Sequence, residues 1–339
     1  MNNPLILGIE SSCDDTSAAV LKGTQILANI THTQLIHEQY GGVVPELASR
    51  AHIEHIVPVV KRALDTAQIS VNEIDAIAFT QGPGLMGSLV VGTSFAKGLA
   101  LALNKPLIGV HHMKAHILSH FITHEGMTAP SFPFLCLTVS GGHTQIVVVH
   151  DALNMEIIGK TIDDAAGEAF DKAAKMLGLP YPGGPLIDQY AQAGDPNVYA
   201  FAEPNIPALN FSFSGLKTSI LYFLKKEVAK DSDFVASNLN NLCASIQHSI
   251  TEILVKKLKK AQQQTGITCI AVSGGVSVNR GLRAKLHAWQ REQPQLSIHL
   301  AHPSFCTDNA AMIAIAGSFL LEAGITHDQK IAANAKLPW

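Results

Sequence analysis

The chain has 339 residues, a length that predicts about two domains and a large hydrophobic core. Its composition, 47% hydrophobic and 15% charged, excludes a disordered chain, a collagen-like repeat and a coiled coil. The formal net charge is −3 with the 16 histidines counted as neutral, so only a local patch could attract a polyanion.

The first half of the chain alternates strands and helices. It opens with a strand over Leu5–Glu10, a polar turn at Ser11–Asp15 and a second strand over Thr16–Leu21. The predicted elements that follow are an amphipathic stretch Val44–Ala67, a strand Ala76–Thr80, a helix Ser88–Leu103, a strand Pro106–Val110 and a helix His111–His124. Such alternation predicts a mixed sheet covered by helices.

The second half repeats this plan. A strand over Phe134–Val139, a turn at Ser140–His143 and a strand over Thr144–Val149 open it. The predicted elements that follow are a helix Ala165–Leu177, a helical region Pro182–Gln264, a strand Thr268–Val272, a helix Asn279–Gln290, a strand Leu296–Leu300 and a helix Asp308–Glu322. We therefore expect a duplicated α/β fold of two similar halves, in which the two hairpin turns face one cleft.

Neither a membrane span nor an oxidising compartment is predicted. The apolar stretch Ser88–Leu103 carries Lys97, and Ala310–Leu321 is shorter than the roughly twenty residues that a crossing helix needs. No basic segment of the kind that begins a signal peptide stands at the N-terminus. The five cysteines are scattered and never form a C-x-x-C pair, so we expect a reduced, cytoplasmic protein.

Two serine–glycine turns are candidate anion sites. Ser140-Gly141-Gly142 and Ser273-Gly274-Gly275 each follow an apolar strand, where open α/β sheets place ligands. Glycine lets the backbone N–H groups approach a phosphate closely. Either pair of glycines could also simply form a tight turn, and the sequence alone leaves both interpretations open.

A run of histidines predicts a metal site. His112–His116, His116–His120 and His120–His124 all have the i, i+4 spacing that places two imidazoles on one helix face. Two histidines need a further ligand, and Asp308 is our candidate because it opens the corresponding helix of the second half. We thus expect one divalent ion held by His112, His116 and Asp308 from both halves, although a solvated histidine face has the same spacing.

Several common enzyme motifs are absent from the sequence. There is no G-x-x-x-x-G-K-[ST] loop of a P-loop ATPase and no G-x-S-x-G elbow of a serine hydrolase. Met113 stands where the H-E-x-x-H motif of a metalloprotease has its general base. These absences exclude the commonest hydrolase interpretations of the histidine pair.

A series of longer motifs, in order from about Leu7 to Gly317, resembles one family, the universal tRNA threonylcarbamoyltransferases that form N6-threonylcarbamoyladenosine in bacterial tRNA. The matching segments are Gly8–Thr16, Tyr40–Arg50, Gly82–Leu85, Val139–Gln145, Asp163–Lys172, Tyr181–Pro185, Phe211–Thr218, Gly274–Arg280 and Cys306–Asn309.

The resemblance implies an actin/Hsp70-like (ASKHA) fold with two duplicated mixed-sheet domains around a central nucleotide cleft. We place the N-terminal domain at residues 1–120 plus 312–339 and the C-terminal domain at residues 121–311.

The enzyme that the resemblance implies is an acyltransferase. It moves a threonylcarbamoyl group from threonylcarbamoyl-adenylate to N6 of the adenosine 3′ of the anticodon, in tRNAs that read codons beginning with A.

The resemblance also assigns site residues. It implies that His112, His116 and Asp308 bind one divalent metal, for which we expect Fe²⁺ rather than Zn²⁺. Asp14 is a candidate for removing the proton from the adenosine amine, although forming the turn would account for it equally well. The implied contacts to the adenylate are Thr138, Val139, Ser140, Gly141, Gly142, Asp171, Gly184 and Asn279.

Four positions depart from the family pattern. Asp15 stands where glutamate is common, and Lys114-Ala115 replaces a frequent Glu-Gly between the histidines. Thr138 stands where archaeal and eukaryotic relatives have a metal-binding tyrosine, so a fourth ligand here would be water or substrate. The substitution predicts weaker retention of the metal.

We expect tRNA to be bound through local basic clusters and with help from partners. The candidate clusters are Lys217, Lys225, Lys226 and Lys230; Lys256, Lys257, Lys259 and Lys260; and Arg280, Arg283 and Lys285. The resemblance implies a heterodimer with a smaller paralogue that lacks the metal site, and a P-loop ATPase subunit. Two alternatives remain open at this stage: a small-molecule kinase of the same fold, and a non-catalytic paralogue that only binds partners.

Overall fold

The protein is described from a computed structural model, which covers residues 3–204 and 206–339. The chain divides into two compact units. Unit 1 comprises residues 1–129 and 301–339, and unit 2 comprises residues 130–300. Each unit is built on one five-stranded mixed sheet.

The N-terminal segment supplies the whole sheet of unit 1. Its elements are β1 (Leu5–Glu10), β2 (Asp15–Lys22), β3 (Gln25–Thr33), α1 (Pro45–Ala67), β4 (Ala76–Gly82), α2 (Met86–Leu103), β5 (Leu107–His111) and α3 (His112–Leu118). The strand order is β3-β2-β1-β4-β5. The first three strands are antiparallel, and β4 and β5 run parallel to β1.

Unit 2 has the same topology. Its elements are β6 (Phe134–Val139), β7 (Thr144–Val149), β8 (Met155–Lys160), α4 (Ala166–Met176), α5 (Gly183–Ala191), α6 (Ser214–Val228), α7 (Phe234–Thr265), β9 (Cys269–Ser273), α8 (Arg280–Glu292) and β10 (Ser297–Leu300). Read from β8, the strand order is β8-β7-β6-β9-β10. This order matches that of unit 1 strand for strand, which confirms the predicted duplicated α/β fold.

Continuous apolar runs form the central strands of both sheets. All six residues of β6 and all six of β7 are buried, because helices and loops cover the sheet on both faces. β3 and β8, the strands at one edge of each sheet, were not predicted from the sequence. Their runs are interrupted by polar residues and are only partly buried, so their hydrophobic pattern is weak.

The last helix, α9 (Ala310–Glu322), packs on the sheet of unit 1. Small residues allow this close contact: a Cβ on Gly8 would lie 2.4 Å from the Ala310 carbonyl oxygen, and a Cβ on Gly317 would lie 2.5 Å from the Ala78 Cβ. The alternation of strands and helices ends the second half with this helix, whereas the predicted domain boundaries assign its residues from 312 onwards to the N-terminal domain. The structure places the whole helix, together with Asp308, in unit 1.

The unit boundaries lie at residues 129/130 and 300/301. The domain boundaries that we predicted, 120/121 and 311/312, remain a prediction, and the second of them falls inside α9.

The predicted histidine helix over residues 111–124 is too long. α3 ends at Leu118, and a single 3₁₀ turn at Ser119–Phe121 follows it.

Candidate metal centre and glycine turns

Two histidines and one aspartate converge in unit 1. His112 and His116 lie one turn apart at the start and middle of α3, and Asp308 lies just before α9, whose N-cap is Asn309. The Nε2 atoms of His112 and His116 lie 3.4 Å and 3.1 Å from Oδ1 of Asp308. α3 packs against α9, and this contact joins residues that are almost 200 positions apart in the chain.

The geometry fits a divalent metal ion. One ligand atom from each of the three residues lies within 4.8 Å of the others, and both imidazoles are buried. Two imidazoles and one carboxylate are the ligand set of non-haem Fe²⁺ sites, and Zn²⁺ accepts the same ligands. The three residues predicted from the sequence therefore lie together, and their arrangement is consistent with a divalent metal.

Glu10 is a further member of this cluster, and the sequence did not predict its role there. It is 0% exposed and lies at the end of β1. Its Oε2 lies 3.1 Å from Nδ1 of His112 and accepts a hydrogen bond from the Thr80 hydroxyl at 2.5 Å. Its Oε1 accepts a hydrogen bond from the Ser12 backbone N–H at 2.5 Å. A carboxylate on Nδ1 assigns the proton to that nitrogen and leaves Nε2 free for a metal, an arrangement usual behind metal-binding histidines.

His116 lacks such a partner. Its Nδ1 is buried and has no hydrogen-bond partner in the described part of the chain, so its ring is oriented by the Asp308 contact at Nε2 and by edge-on packing against the His112 ring. The sequence signals for Glu10 were its place in the matching segment Gly8–Thr16 and its position at the end of an apolar strand. An ionisable side chain in that position needs a partner, because an unpaired buried charge is costly.

The electrostatics of this cluster favour charged carboxylates around a cationic imidazole when no metal is bound. Burial opposes ionisation of all three groups, but the negative charges of Asp308 and Glu10 raise the pKa of His112 well above its usual value. In return, His112 lowers the pKa of Glu10 and of Asp308 despite their burial. A divalent cation would replace the imidazolium proton as the compensating charge.

The turn between β1 and β2 carries two further carboxylates. Asp14 is half-buried and lies two residues from Ser12, whose hydroxyl is 3.3 Å from Nδ1 of His112. Asp15 begins β2 and accepts a hydrogen bond from the Thr33 hydroxyl at 2.6 Å. Burial raises the pKa of Asp15 to about 7, although the Thr33 hydrogen bond opposes the shift.

We expect Asp15→Asn to stabilise the protein in a pH-dependent way. The folded-state pKa of about 7 lies above the unfolded value of about 3.9, so the folded state holds the proton more tightly between these values. Ionisation of Asp15 therefore lowers the free energy of unfolding as the pH rises, and the full decrease is reached above pH 7. The gain in unfolding free energy from Asp15→Asn should be about 2 kcal/mol larger at pH 8 than at pH 5.5.

Urea unfolding at the two pH values measures this difference. Asp65→Asn, which neutralises an exposed carboxylate of α1, is the matched control and should change stability by the same small amount at both pH values. An equal gain from Asp15→Asn at pH 5.5 and pH 8 would contradict the assignment of a raised pKa.

The glycine turn of unit 2 is open at its tip. Gly141 and Gly142 are exposed, and a Cβ built on either would contact nothing within 4 Å. Packing therefore does not require glycine at these two positions, which leaves room for a ligand against the backbone. Gly274 is different: its φ is +90°, and a Cβ there would lie 2.4 Å from the Val139 carbonyl oxygen.

The other predicted adenylate contacts also lie in unit 2, and several are engaged in internal hydrogen bonds. Oδ1 of Asp171 accepts hydrogen bonds from the backbone N–H groups of Gly183 and Gly184, at the start of α5. Oδ1 of Asn279 accepts from the Leu282 N–H and caps α8, while its Nδ2 donates to Gln247. These two side chains position helix N-termini, which attract anions.

The side chains of Thr138 and Val139 are completely buried at the end of β6. The Thr138 hydroxyl accepts a hydrogen bond from Ser273 at 3.4 Å. Ser140 is half-buried, and its hydroxyl accepts a hydrogen bond from the His143 N–H. Within unit 2, the two glycines and the half-buried Ser140 are thus the parts of this turn that a ligand could reach.

Three other residues of the histidine segment do not belong to the triad. His120 is buried in the 3₁₀ turn, and His124 lies in the following loop and stacks on His302 with ring centroids 4.1 Å apart. Lys114 lies about 200° around α3 from His112, where its Nζ is 5.4 Å from the centre of the Trp339 ring. The positive charge that departs from the family pattern therefore contacts an aromatic ring on another side of the helix.

The sequence comparisons agree on one family. The model of the family "TsaD: tRNA N6-adenosine threonylcarbamoyltransferase" matches residues 25–315. A protein of that name from Christiangramia forsetii is 59% identical over 318 residues, which cover 92% of each chain. Another from Riemerella anatipestifer is 54% identical over 338 residues, covering 99% of this chain and 98% of that one.

Solved structures support the fold. Two crystal structures of HypF, one with phosphate and nucleotide bound and one from T. kodakarensis, match with TM-scores of 0.60 and 0.59 at 15% and 14% identity. They cover 94% and 97% of this chain, and 47% and 49% of the HypF chains. The likeness confirms the predicted ASKHA-type fold and, at this identity, nothing further.

Proposed function

This chain belongs to the tRNA N6-adenosine threonylcarbamoyltransferase family, and from that premise we propose that it transfers a threonylcarbamoyl group to tRNA. The donor is threonylcarbamoyl-adenylate, and the acceptor is N6 of the adenosine 3′ of the anticodon in tRNAs that read codons beginning with A. The observation that supports this most is the match over residues 25–315 in a chain that keeps the buried triad.

The transfer is acyl chemistry on a mixed anhydride. The adenosine N6 attacks the carbamoyl carbon, an N–C bond forms, and the C–O bond to the phosphate breaks. AMP leaves with the bonding electron pair, and the amine loses one proton. Because AMP is a good leaving group, the protein chiefly has to position the amine and stabilise charge on the carbonyl oxygen.

His112, His116 and Asp308 hold the metal of this reaction. When bound, a divalent ion supplies Lewis acidity towards a carbonyl oxygen. We propose Fe²⁺ rather than Zn²⁺, because two histidines and one carboxylate with open positions form the usual site of non-haem Fe²⁺. Glu10 fixes the His112 ring by accepting its Nδ1–H, so the ligand geometry is set before the ion arrives.

Asp14 accepts the proton from the adenosine amine in this proposal. It lies in the β1–β2 turn, two residues from Ser12, and it is the half-buried carboxylate of that turn without a threonine hydrogen bond. In unit 2, the Ser140-Gly141-Gly142 turn binds the adenylate phosphate through backbone N–H groups. The N-termini of α5 and α8, positioned by Asp171, Gly184 and Asn279, add partial positive charge.

We further propose a smaller paralogous subunit and a P-loop ATPase as partners. Unit 1 offers an apolar surface for the first of these. Ile53 and Val57, one turn apart on α1, are 65% and 58% exposed, and Met86 and Val90, one turn apart on α2, are 50% and 47% exposed. α1 packs against α2, so the two exposed side chains of α1 and the two of α2 lie on neighbouring helices. Exposed apolar side chains at this spacing are typical of helix-to-helix interfaces.

We expect Ile53→Asp with Val57→Asp to weaken the affinity between the two subunits at least a hundredfold. The reason is that the interface would bury two charged side chains without partners. Analytical ultracentrifugation of the chain with its smaller paralogue measures the effect. Leu153→Asp, at a 43%-exposed leucine of unit 2, is the control and should leave the affinity unchanged. Undiminished assembly of the double variant would show that the partner binds elsewhere.

The helix α2 also bears on localisation. Over its 18 residues its mean hydropathy is 1.5, so by length and composition it is the one described helix that could cross a membrane. Its Leu89, Ala96 and Ala100 are buried, and Lys97 donates a hydrogen bond to the Ile331 carbonyl oxygen. We therefore interpret α2 as a helix of unit 1 and place the protein in the cytoplasm with its tRNA substrate.

Mass analysis of nucleosides tests the proposed function. Unmodified tRNA is incubated with threonine, bicarbonate, ATP and the purified enzyme set, with and without this chain. We expect N6-threonylcarbamoyladenosine only when the chain is present. Rapid ATP turnover with a small hydroxylated substrate would instead indicate a kinase of the same fold. Modified tRNA in equal amount without the chain would indicate a non-catalytic paralogue.

A further inference from the structure

The structure separates the three basic clusters by what their side chains contact. In the second and third clusters, every described side chain already has a partner. Lys256 pairs with Glu203 and Lys259 with Glu292, while Lys257 and Lys260 donate to backbone carbonyl oxygens. Arg280 pairs with Asp188, Lys285 with Glu252, and Arg283 donates to the Ser277 carbonyl oxygen. Much of the positive charge in these clusters is therefore neutralised within the chain.

The first cluster contains two lysines that differ from the rest. Lys217 pairs with Asp164, and Lys230 pairs with Glu227. Lys225 and Lys226 are exposed in the last turn of α6, and their side chains make no hydrogen bond or ion pair in the described part of the chain. Their charges are thus available to an external anion at no cost of breaking an internal pair.

An exposed aromatic ring lies on the same face of α6. Tyr222 is 66% exposed and makes no ring or hydrogen-bond contact in the described residues. It lies three and four residues before Lys225 and Lys226, the spacing at which helix side chains are neighbours. A tyrosine has an apolar ring face and a polar hydroxyl, a combination that is enriched at interfaces.

An aromatic ring beside two unpaired cations matches the chemistry of RNA. Every base has a flat face that stacks on a tyrosine ring, and the lysines contact the phosphates that flank such a base. A negatively charged protein surface would use the lysines but would leave the ring without a stacking partner. The unstacked loop and end nucleotides of a tRNA supply both groups together.

We propose that Tyr222, Lys225 and Lys226 form a surface of α6 that binds the tRNA substrate, with one unstacked base on Tyr222 and the adjoining phosphates on the lysines. This inference rests on the proposed function, and it names the basic cluster through which unit 2 contacts the RNA. The structure is needed to choose this surface, because the sequence alone shows two clusters of four lysines and does not show which side chains are paired.

Fluorescence anisotropy with labelled, unmodified tRNA and the full-length chain tests this surface over a series of salt concentrations. Lys225→Ala with Lys226→Ala should weaken binding about tenfold at about 100 mM salt and reduce the slope of log affinity against log salt by about 1.5. Tyr222→Ala should weaken binding about fivefold and leave the slope unchanged, because stacking involves no counterion release. Lys225→Arg with Lys226→Arg should retain the wild-type affinity and slope.

The matched control is Lys160→Ala with Arg291→Ala, which removes the same charge from exposed positions of unit 2 outside α6. It should change tRNA affinity less than twofold. Thermal unfolding of each variant separates binding from the contribution that the two lysines make to the C-terminus of α6. If the wild type binds tRNA and the Lys225→Ala, Lys226→Ala variant binds it with the same affinity, the proposed surface is wrong. The proposal is also wrong if the Lys160→Ala, Arg291→Ala control loses as much affinity as that variant. No wild-type binding together with no modified nucleoside would instead overturn the proposed function.

Discussion

Replacing His116 by alanine is expected to remove both the metal and the activity. The substitution leaves two ligands of the triad, which is too few to retain a divalent ion through dialysis. Metal content should fall from about one ion per chain to below about a tenth, and transfer to tRNA should fall at least a hundredfold. Elemental analysis and nucleoside mass analysis measure the two effects.

His124→Ala is the matched control, because His124 comes from the same histidine run but lies in the loop outside the triad. It should keep the metal and most of the activity. Each variant should remain folded, since removing the ring of His116 costs a few kcal/mol at most. Full activity of a metal-free His116→Ala enzyme would refute a role for the triad in transfer.

Replacing Glu10 by glutamine is expected to weaken metal binding by about ten- to a hundredfold with almost no change in side-chain volume. The Ser12 backbone N–H is a donor, so it needs an acceptor at the position of Oε1. The amide oxygen of the glutamine therefore takes that position. The amide NH₂ then occupies the position of Oε2 and donates to Nδ1 of His112. That hydrogen bond moves the imidazole proton to Nε2, the nitrogen that faces Asp308 and the ion.

Titration of the metal-free chain with Co²⁺, followed by visible absorption, measures this affinity directly. Glu46→Gln, at an exposed carboxylate of α1, is the control and should bind Co²⁺ like the wild type. Glu10→Asp should recover part of the loss, because it keeps an acceptor for the Nδ1 proton. An affinity for Glu10→Gln within twofold of the wild type would contradict the role of Glu10 in orienting His112.

The sequence predicts most of the fold because its central strands are strongly apolar. Leu5–Glu10, Phe134–Val139 and their neighbours were found with accurate bounds, and the repetition of their order predicted two similar halves. The apolar pattern does not predict the position of α9, which only the domain boundaries implied by the family resemblance placed largely in the N-terminal domain. That position depends on Gly8 and Gly317, whose lack of a side chain lets the helix contact the sheet of unit 1.

The metal ligands were predictable because helical spacing is local: His112 and His116 share a face in any helix. Asp308 could be named from its motif, but its contact with α3 depends on the packing of α9. Glu10 was missed because its function depends on a neighbour 102 residues away, with no spacing to reveal it. The same limit applies to the basic side chains Lys256, Arg280 and Lys285, whose partners are Glu203, Asp188 and Glu252 and are visible only in the fold.

A single-turnover reaction shows whether this chain itself transfers the threonylcarbamoyl group to tRNA. Threonylcarbamoyl-adenylate labelled with ¹³C at the carbamoyl carbon is mixed with unmodified tRNA and an excess of this chain, together with the two proposed partner subunits. The account predicts that the label appears in N6-threonylcarbamoyladenosine, with one AMP released for each nucleoside modified, and that His116→Ala prevents both. Release of AMP at the same rate with and without tRNA, and no label in the RNA, would contradict it.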